Sequence, residues 1–331
     1  MLKDRIQLYK KLENMRKSKL LVYATSNRRG METQIASDIL PFFTTHLDKI
    51  GDVDKISLLI YTRGGDTLTA WSLVNLIRSF CKDFEVIVPF YCHSAGTLIC
   101  LGANRIVMTK QATIGPIDPS VNNFFNPQLQ PGNPGTAVPI SVEFINGYLD
   151  MIKNQLGIVE QESLTKILIN LADKIHPMVL GQVYKSKTQI QMLAKKLIAN
   201  QQLGEEKEEK IIKFLVSESG SHDYTINRKE AKDELGLNIE KPDDSLYEII
   251  NNIYLDIQKE LQLMEPFEPQ IILANTNTFT YSFRRAIIES IKSKCDVFIN
   301  EGMLMKQSNP NNPLQSVIQD NRQFEGWKHE R

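Results

Sequence analysis

Ser94 is the residue of this sequence whose position best suits a nucleophile. An apolar run at residues 86–90 predicts a buried strand, and the small-residue segment 95–103 predicts a buried helix. In the turn between them the hydroxyl can project outward, and N–H groups at the start of the helix can stabilise an oxyanion. A serine here can also simply cap the helix, and the turn lacks the GxSxG pattern of α/β-hydrolases. The turn alone leaves both interpretations open.

A second turn, RGGD at residues 63–66, follows a predicted strand at residues 56–61. Glycine adopts backbone conformations that other residues resist, so Gly64 or Gly65 can direct an unhindered N–H into the space above the strands. With the serine and the N–H of Ala95, the two turns would supply one nucleophile and two hydrogen-bond donors, the minimum set for acyl transfer. A Gly-Gly pair by itself is more typical of a tight turn and nothing more.

The elements that must position these turns alternate between strand and helix. Strands that are continuously apolar, without polar alternation, are typical of a parallel sheet covered by helices. The sequence therefore predicts an α/β protein with a mainly parallel sheet. Its first half is predicted to contain strands at 20–25, 56–61, 84–89, 105–108 and 112–114, and helices at 4–15, 32–50, 67–80 and 95–103.

The second half is predicted to be mostly helical. It opens with a Pro-, Asn- and Gly-rich loop at 115–138. A loop of this length is commonly functional or a partner contact, but a simple surface excursion stays open. We place a domain boundary after residue 240, with one domain at 1–240 and a C-terminal extension with a helix and short strands at 241–331. The predicted helices are 141–156, 162–173, 179–202, 227–237, 245–264 and 284–294, and the predicted strands are 270–275 and 296–300.

Composition excludes several classes of protein. Lys and Arg together number 39, as do Asp and Glu, so no bulk charge attracts nucleic acid or an anionic membrane. The four cysteines form no CxxC pair, which argues against zinc and against a disulfide framework. No apolar run approaches the roughly 20 residues that span a bilayer, and the charged N-terminus does not resemble a signal peptide. We therefore expect a cytoplasmic protein with no integral membrane segment and no nucleic-acid partner.

Four segments of the chain form a recognisable series: LLIYTRGGD (58–66), HSAGT (93–97), GANRIVMTKQATIGPIDP (102–119) and EAKDELGL (230–237). Their order and spacing resemble the ClpP/crotonase superfamily, specifically its ClpP- and SppA-like serine peptidases. The branch that the chain most resembles is that of the SDH-type (serine dehydrogenase proteinase) Clp-fold serine peptidases. The resemblance implies that residues 1–240 are a ClpP/crotonase-like peptidase domain.

This resemblance implies a function and a site. The chain would hydrolyse peptide bonds of a peptide or protein substrate through an acyl-enzyme on Ser94. The oxyanion hole would be the N–H of Gly64 or Gly65 together with the N–H of Ala95. No metal or organic cofactor is implied, and a homo-oligomer is the expected assembly.

The general base is where the sequence departs from ClpP. In ClpP a histidine follows the serine by about two dozen residues, but here that segment contains Asp118 and no histidine. An aspartate with its ordinary pKa of about 3.9 is a weak base for a serine unless burial raises it. In ClpP the aspartate lies seven residues before the Glu of an E-A-x-x-x-G-L helix. Counting back seven residues from Glu230 of this chain gives Asp223, which directly follows His222. We therefore expect His222 as the base, oriented by Asp223 or Asp118.

Other bases stay open. Two adjacent strand residues point to opposite faces, so His222 and its neighbour can both face the serine only from a loop or bulge. SppA-like relatives use a Ser–Lys dyad, for which Lys153, Lys174 and Lys187 are candidates. His176 is a further possible base, although a His-Pro pair before an apolar helix is more typical of a cap or core residue. The remaining groups have structural interpretations: His93 as pointing away from the serine, Cys92 as a core thiol, and His46 and His329 as surface residues.

Two other functions stay open. The absence of a histidine near Asp118 is compatible with a catalytically impaired scaffold or interaction protein of the same fold. An acyl-CoA-handling crotonase-type enzyme would share the oxyanion geometry, but it would not need a serine at the start of the helix.

Overall fold

The computed structural model describes residues 2–117, 120–121, 125–127, 138, 140–309 and 312–330. Within these residues, short 3₁₀ or π-helical turns occur at Ser37–Ile39, Met151–Gln155, Ala199–Gln201, Phe214–Glu218 and Glu230–Glu234. The α-helices in the same residues are α1 (Leu2–Arg16), α2 (Leu40–Ile50), α3 (Thr67–Arg78), α4 (Ala95–Leu101), α5 (Val142–Asp150), α6 (Gln161–Lys174), α7 (Pro177–Ile198), α8 (Glu205–Lys213), α9 (Asp244–Glu260) and α10 (Pro269–Ile272).

The strands of the described residues form one large sheet and two small ones. They are β1 (Lys19–Thr25), β2 (Val53–Tyr61), β3 (Cys81–Val88), β4 (Tyr91–Cys92), β5 (Arg105–Met108), β6 (Thr113–Ile114), β7 (Ser120–Val121), β8 (Ile140–Ser141), β9 (Ile226–Asn227), β10 (Ile239–Glu240), β11 (Thr278–Ser290), β12 (Lys294–Asn309) and β13 (Asn312–Glu330). The eight-stranded sheet has the order β10-β5-β3-β2-β1-β11-β12-β13. It is parallel from β10 to β1 and antiparallel from β1 to β13. The predicted α/β class, with a mainly parallel sheet covered by helices, is confirmed.

The parallel strands are buried on both faces, which explains their continuous apolar sequences. In β1, Leu21 and Tyr23 pack with apolar residues of α2, α3, α4 and α7. Leu20 and Val22 of the same strand pack on the opposite face, against α1 and α9. The parallel part of the sheet therefore lies between two helical layers. This packing fixes the positions of the loops that follow its strands.

The start of α2 differs from the prediction. Residues 32–36 were predicted to be helical, but they are extended, and Ile35 forms an isolated parallel bridge with Gly65. The Ile35 N–H donates to the Gly64 carbonyl, and the Asp66 N–H donates to the Ile35 carbonyl, each at 2.8 Å. Pairing with the distant glycine turn therefore overrides the local helical pattern.

Two of the C-terminal predictions are wrong. Residues 270–275 were predicted as a strand, but they contain the end of α10, and residues 284–294 were predicted as a helix, but they lie mainly in β11. Ile287 and Ile288 are both fully buried and pack into opposite layers of the core. A short apolar run buried on both sides cannot be assigned to helix or strand from its periodicity. The predicted strand at 296–300 is confirmed within β12.

The C-terminal extension continues the main sheet, since β11 pairs antiparallel with β1 from Val22 to Thr25. Its strands were predicted to be short, but β11, β12 and β13 have 13, 16 and 19 residues, because they pair with one another along nearly their whole length. Helix α9 packs on the same core as α1. The boundary after residue 240 stays a prediction.

His46 was expected at the surface, but it is fully buried and bonded to the C-terminal strands. Its Nδ1 lies 2.8 Å from the hydroxyl of Ser290, and its Nε2 lies 2.9 Å from a carboxylate oxygen of Asp296. The other Asp296 oxygen lies 2.9 Å from Nδ1 of His329, which is 41% exposed. Although serine, histidine and aspartate stand in the order of a triad, all three are buried, so no substrate reaches them. The cluster ties α2 to β11, β12 and β13.

Replacing Asp296 with alanine is expected to destabilise the fold by about 3 kcal/mol at neutral pH, because the buried side chain of His46 loses the carboxylate to which it is bonded. Burial alone would raise the pKa of Asp296, but hydrogen bonds with His46 and His329 lower it below its usual value. A carboxyl whose pKa is lowered by folding stabilises the fold above its unfolded pKa, and this contribution is lost as the pH falls. The difference in the free energy of unfolding between wild type and variant, measured by urea denaturation, should therefore become smaller as the pH falls towards 3.

Asp48→Ala is the matched control for this prediction, because Asp48 lies exposed on the same helix as His46. We expect it to change the free energy of unfolding by less than about 0.5 kcal/mol. An Asp296→Ala protein as stable as the control at pH 7 would show that the cluster is not a structural tie.

Candidate active site

Ser94 lies in a tight turn between β4 and α4, where the sequence predicted it. Its backbone has φ 51° and ψ −118°, a region that non-glycine residues rarely adopt. The turn is closed by the Gly96 N–H, which donates to the His93 carbonyl at 2.8 Å. The Ser94 side chain makes no capping hydrogen bond to α4, so Ser94 is not an N-cap serine of the usual kind. Its hydroxyl is left available to react.

The two predicted turns lie side by side. Thr62 forms an isolated bridge with Cys92: its N–H donates to the Tyr91 carbonyl at 3.0 Å, and its carbonyl accepts from the His93 N–H at 3.1 Å. Gly64 has φ +112°, and a Cβ added there would lie 2.7 Å from the Cβ of Ser94. The glycine turn therefore lies directly against Ser94, and only glycine fits at this distance.

The backbone donors around Ser94 are not equivalent. The Gly64 N–H donates to the Thr62 hydroxyl at 3.0 Å, so it is already occupied. In the described part of the chain the N–H groups of Gly65 and Ala95 have no acceptor. The bridge between Gly65 and Ile35 does not use the Gly65 N–H, and Ala95 is the first residue of α4, where an N–H has no partner within the helix. Of the two glycines that the sequence left open, Gly65 is therefore the better donor.

His222 and Ser94 line the same cavity, whose volume is about 390 Å³. His222 lies in a turn just before β9, and β9 pairs with β6, which in turn pairs with β4 beside the serine. This three-stranded sheet brings together residues more than 120 positions apart in the chain. The cavity is lined by Gln34, Arg63, Gly65, Asp66, Thr67, Ser94, Ser186, Gln189, Ile190 and His222.

The two carboxylates considered as partners of His222 differ in position. Asp223 is exposed and is not among the described residues that line the cavity, although its N–H donates to the Ser221 hydroxyl at 3.2 Å. Asp118 lies outside the described residues. Most of the predicted loop at 115–138 lies outside them as well.

The lysines proposed for a Ser–Lys dyad lie elsewhere. Lys153 and Lys174 are exposed, and neither they nor the half-buried Lys187 are among the described residues that line the cavity. Helix α7 instead contributes Ser186, Gln189 and Ile190 to the wall. His176 caps α7 by accepting from the Met178 N–H at 3.2 Å, as its cap interpretation predicted.

The two residues before Ser94 are buried. The Nε2 of His93 lies 2.9 Å from the Thr113 hydroxyl, and His93 is not among the described residues that line the cavity of Ser94. Its orientation away from the serine stays a prediction. Burial, the charge of Arg63 and the nearby ring of His222 lower the pKa of His93 to about 4, so its ring is neutral at neutral pH. Cys92 is a core thiol as predicted, with its Sγ 3.5 Å from that of Cys100.

Sequence reasoning assigned no role to Arg63, Asp66, Ser186 or Gln189. The only signal for the first two was their place in the RGGD turn that was predicted to supply an oxyanion donor. Nothing local marked the two residues of α7, because that helix reaches the site only through the tertiary fold.

In the described residues, no cluster of three His, Cys, Asp or Glu side chains could hold a metal ion, and no helix is long and apolar enough to cross a bilayer.

Residues 2–130 match the family model of the ClpP-like SDH-type serine proteinases, which confirms the resemblance inferred from the motifs. Two uncharacterized proteins of Methanocaldococcus jannaschii are 31% and 27% identical over 185 and 184 residues, each match covering 56% of this chain. The matches cover 53% and 51% of those proteins, so the chain spans about half the length of the curated relatives it matches.

Solved structures that resemble the chain include ClpP1 from Listeria monocytogenes, with 17% identity, a TM-score of 0.37, and coverage of 72% of this chain and 99% of that one. A membrane-bound stomatin-specific protease gives 16% identity and a TM-score of 0.36, covering 74% and 86% of the two chains.

Proposed function

Starting from the match of residues 2–130 to the ClpP-like SDH-type serine proteinases, we propose that this chain is a serine-type peptidase. It hydrolyses peptide bonds through an acyl-enzyme on Ser94. Gly65 and Ala95 donate their N–H groups to the oxyanion, and His222 is the general base. A carboxylate from Asp118 or Asp223 orients the histidine.

One observation carries the proposal. Ser94 has a positive φ, its side chain makes no capping hydrogen bond to α4, and within the described part of the chain the N–H groups of Gly65 and Ala95 beside it have no acceptor. A serine that served only to cap α4 would have an extended backbone and would accept a bond from the helix. Strained backbone of this kind is concentrated at functional sites, and paired donors beside a serine suit an oxyanion.

In the proposed acylation step, His222 takes the proton of the Ser94 hydroxyl as the oxygen attacks the peptide carbonyl carbon. The carbonyl oxygen becomes an oxyanion held by the two N–H groups. The C–N bond then breaks, and the departing amine takes the proton from the imidazolium. An ester between the acyl group and Ser94 remains.

In deacylation a water molecule attacks the ester, giving its proton to His222 and forming a second oxyanion in the same hole. The bond from the acyl carbon to the serine oxygen breaks, and that oxygen regains the proton. The products are a carboxylic acid and the free enzyme. The histidine serves both steps because an imidazole exchanges protons near neutral pH.

A fluorophosphonate probe tests the proposal, because it phosphylates serines that are activated by a base and an oxyanion hole. Intact mass spectrometry of the wild type should show one added probe group between pH 6 and 9, and peptide mapping should place it on Ser94. Ser94→Ala should lose the adduct completely. Ser186→Ala is the matched control, since Ser186 lines the same cavity, and it should label like the wild type.

If the wild type takes up no probe at any of these pH values, the peptidase proposal is wrong and the scaffold interpretation is favoured. Labelling that persists in Ser94→Ala would move the nucleophile elsewhere. The crotonase-type alternative predicts turnover of an acyl-CoA that survives Ser94→Ala. The homo-oligomer and the cytoplasmic location stay predictions, as do the substrates of the whole protein.

A further inference from the structure

Arg63 is the one arginine or lysine among the described residues that line the cavity around Ser94. Its side chain is exposed, and no described carboxylate lies within 4.0 Å of it. Asp66 faces the same cavity, but its carboxylate caps α3 by accepting from the N–H and hydroxyl of Thr69 at 2.6 and 2.5 Å. Among the described residues Arg63 therefore has no ion-pair partner, and one oxygen of the Asp66 carboxylate is engaged by the start of α3.

The guanidinium of Arg63 is held by an aromatic ring. Its central carbon lies 4.7 Å from the centroid of the Tyr91 ring, which itself lies 5.2 Å from the ring of His93. A guanidinium on an aromatic face keeps its N–H donors free at its edge, because the ring occupies only its flat side. The charge of Arg63 also contributes, after burial, to lowering the pKa of His93, the residue directly before Ser94.

The chain also restricts where this cation can be. Arg63 directly precedes Gly64 and lies two residues before Gly65, whose N–H is the proposed oxyanion donor. Its backbone is fixed on both sides, by the bridge of Thr62 to Cys92 and by that of Gly65 to Ile35. The side chain therefore starts at a set point beside the reacting carbonyl.

We propose that Arg63 binds a carboxylate of the peptide substrate next to the scissile bond. The carboxylate is either an acidic side chain or the C-terminal group of the peptide. The inference rests on the proposed peptidase function and names its substrate class. The fork of N–H donors on a guanidinium matches the two oxygens of a carboxylate, and charge-assisted pairs of this kind are the strong ones.

The rest of the cavity supports a polar group rather than an apolar one. Gln34, Thr67, Ser186 and Gln189 line it with hydroxyl and amide groups, and Ile190 is the one aliphatic side chain among the described lining residues. A large apolar side chain would leave these polar groups without partners, which costs binding energy. A carboxylate can accept from Arg63 and from the amides around it.

Three peptides of one sequence test the proposal on the full chain. The first has a single internal glutamate and an amidated C-terminus, the second replaces that glutamate by glutamine, and the third keeps the glutamine but ends in a free carboxylate. We expect the first or the third to be cleaved with kcat/KM about 10-fold or more above the second, mainly through a lower KM. Mass spectrometry of the products locates the cut and so distinguishes the side chain from the C-terminus.

Variants of Arg63 separate recognition from chemistry. Arg63→Gln should remove the preference for the acidic peptide, and Arg63→Glu should reverse it in favour of a fourth peptide with lysine in place of the glutamate. Arg29→Gln is the matched control, since Arg29 is an exposed arginine that lines a different cavity, and it should keep the wild-type preference. Circular dichroism checks that each variant is folded.

Two outcomes would overturn the inference. One is equal kcat/KM for the first three peptides in a protein whose Ser94 takes up the fluorophosphonate, which leaves the peptidase intact. The other is a preference for the acidic peptide that persists in folded Arg63→Gln.

If no peptide is cleaved, the affinities of Ser94→Ala for the same three peptides test the inference instead. A carboxylate preference of about 10-fold that disappears in the Ser94→Ala, Arg63→Gln double variant supports the binding site without catalysis, and equal affinities reject it.

Discussion

Replacing His222 with alanine is expected to slow fluorophosphonate labelling of Ser94 about 100-fold or more at pH 7.5, because the serine would lose its proposed general base. His222 lies exposed in a turn and shares the cavity with Ser94, so the fold should tolerate its removal. Stopped-time labelling followed by intact mass gives the rate. Added imidazole should restore part of it in the variant, which a purely structural histidine would not allow.

Two variants serve as controls for His222→Ala. His176→Ala removes another exposed histidine, the cap of α7, and should label at nearly the wild-type rate. Lys187→Ala tests the dyad alternative and should also label normally. If Lys187→Ala loses the rate while His222→Ala keeps it, the base is a lysine and our assignment is wrong. Comparing Asp118→Asn with Asp223→Asn then identifies the carboxylate that orients the histidine.

Replacing Gly65 with alanine is expected to lower the labelling rate and any peptidase activity by about 100-fold or more, the usual cost of losing one oxyanion donor. Gly65 has φ +144°, and an added Cβ would lie 2.3 Å from the Ile35 carbonyl oxygen and 2.5 Å from the Ile35 nitrogen. Both contacts are with backbone, which cannot rotate away. The turn must therefore shift, and the N–H of Gly65 moves with it.

The control for Gly65→Ala must show that a methyl group elsewhere is harmless. Gly181 lies in α7 with open space around its would-be Cβ, and alanine is the better helix former there. Gly181→Ala should label normally and gain up to about 1 kcal/mol of stability. Thermal melting distinguishes a displaced donor from general unfolding. A folded Gly65→Ala protein that labels like the wild type would remove this N–H from the oxyanion hole.

Much of the α/β core could be predicted from sequence because its strands are buried on both faces. Burial on both sides removes polar residues from a strand, and this leaves short apolar runs such as 56–61 that stand out from the helices around them. The same property caused the error at Ile287 and Ile288, where no adjacent turn signal separated strand from helix. His46 was misplaced because a lone histidine carries no sign of partners that lie about 250 residues away.

The sequence by itself determined the parts of the candidate site that are local. Ser94 and Ala95 are neighbours in one turn, and Gly64 and Gly65 in another, so their types and spacing were enough to propose a nucleophile with two donors. The tertiary structure decided everything that depends on distant contacts. It separated Gly65 from Gly64 by giving the N–H of the latter to Thr62, and it brought the turn of His222 to the serine through β6 and β9. It also placed Arg63 over Tyr91 within the cavity. Backbone pairing across the fold creates these proximities, and the local pattern of residues does not record it.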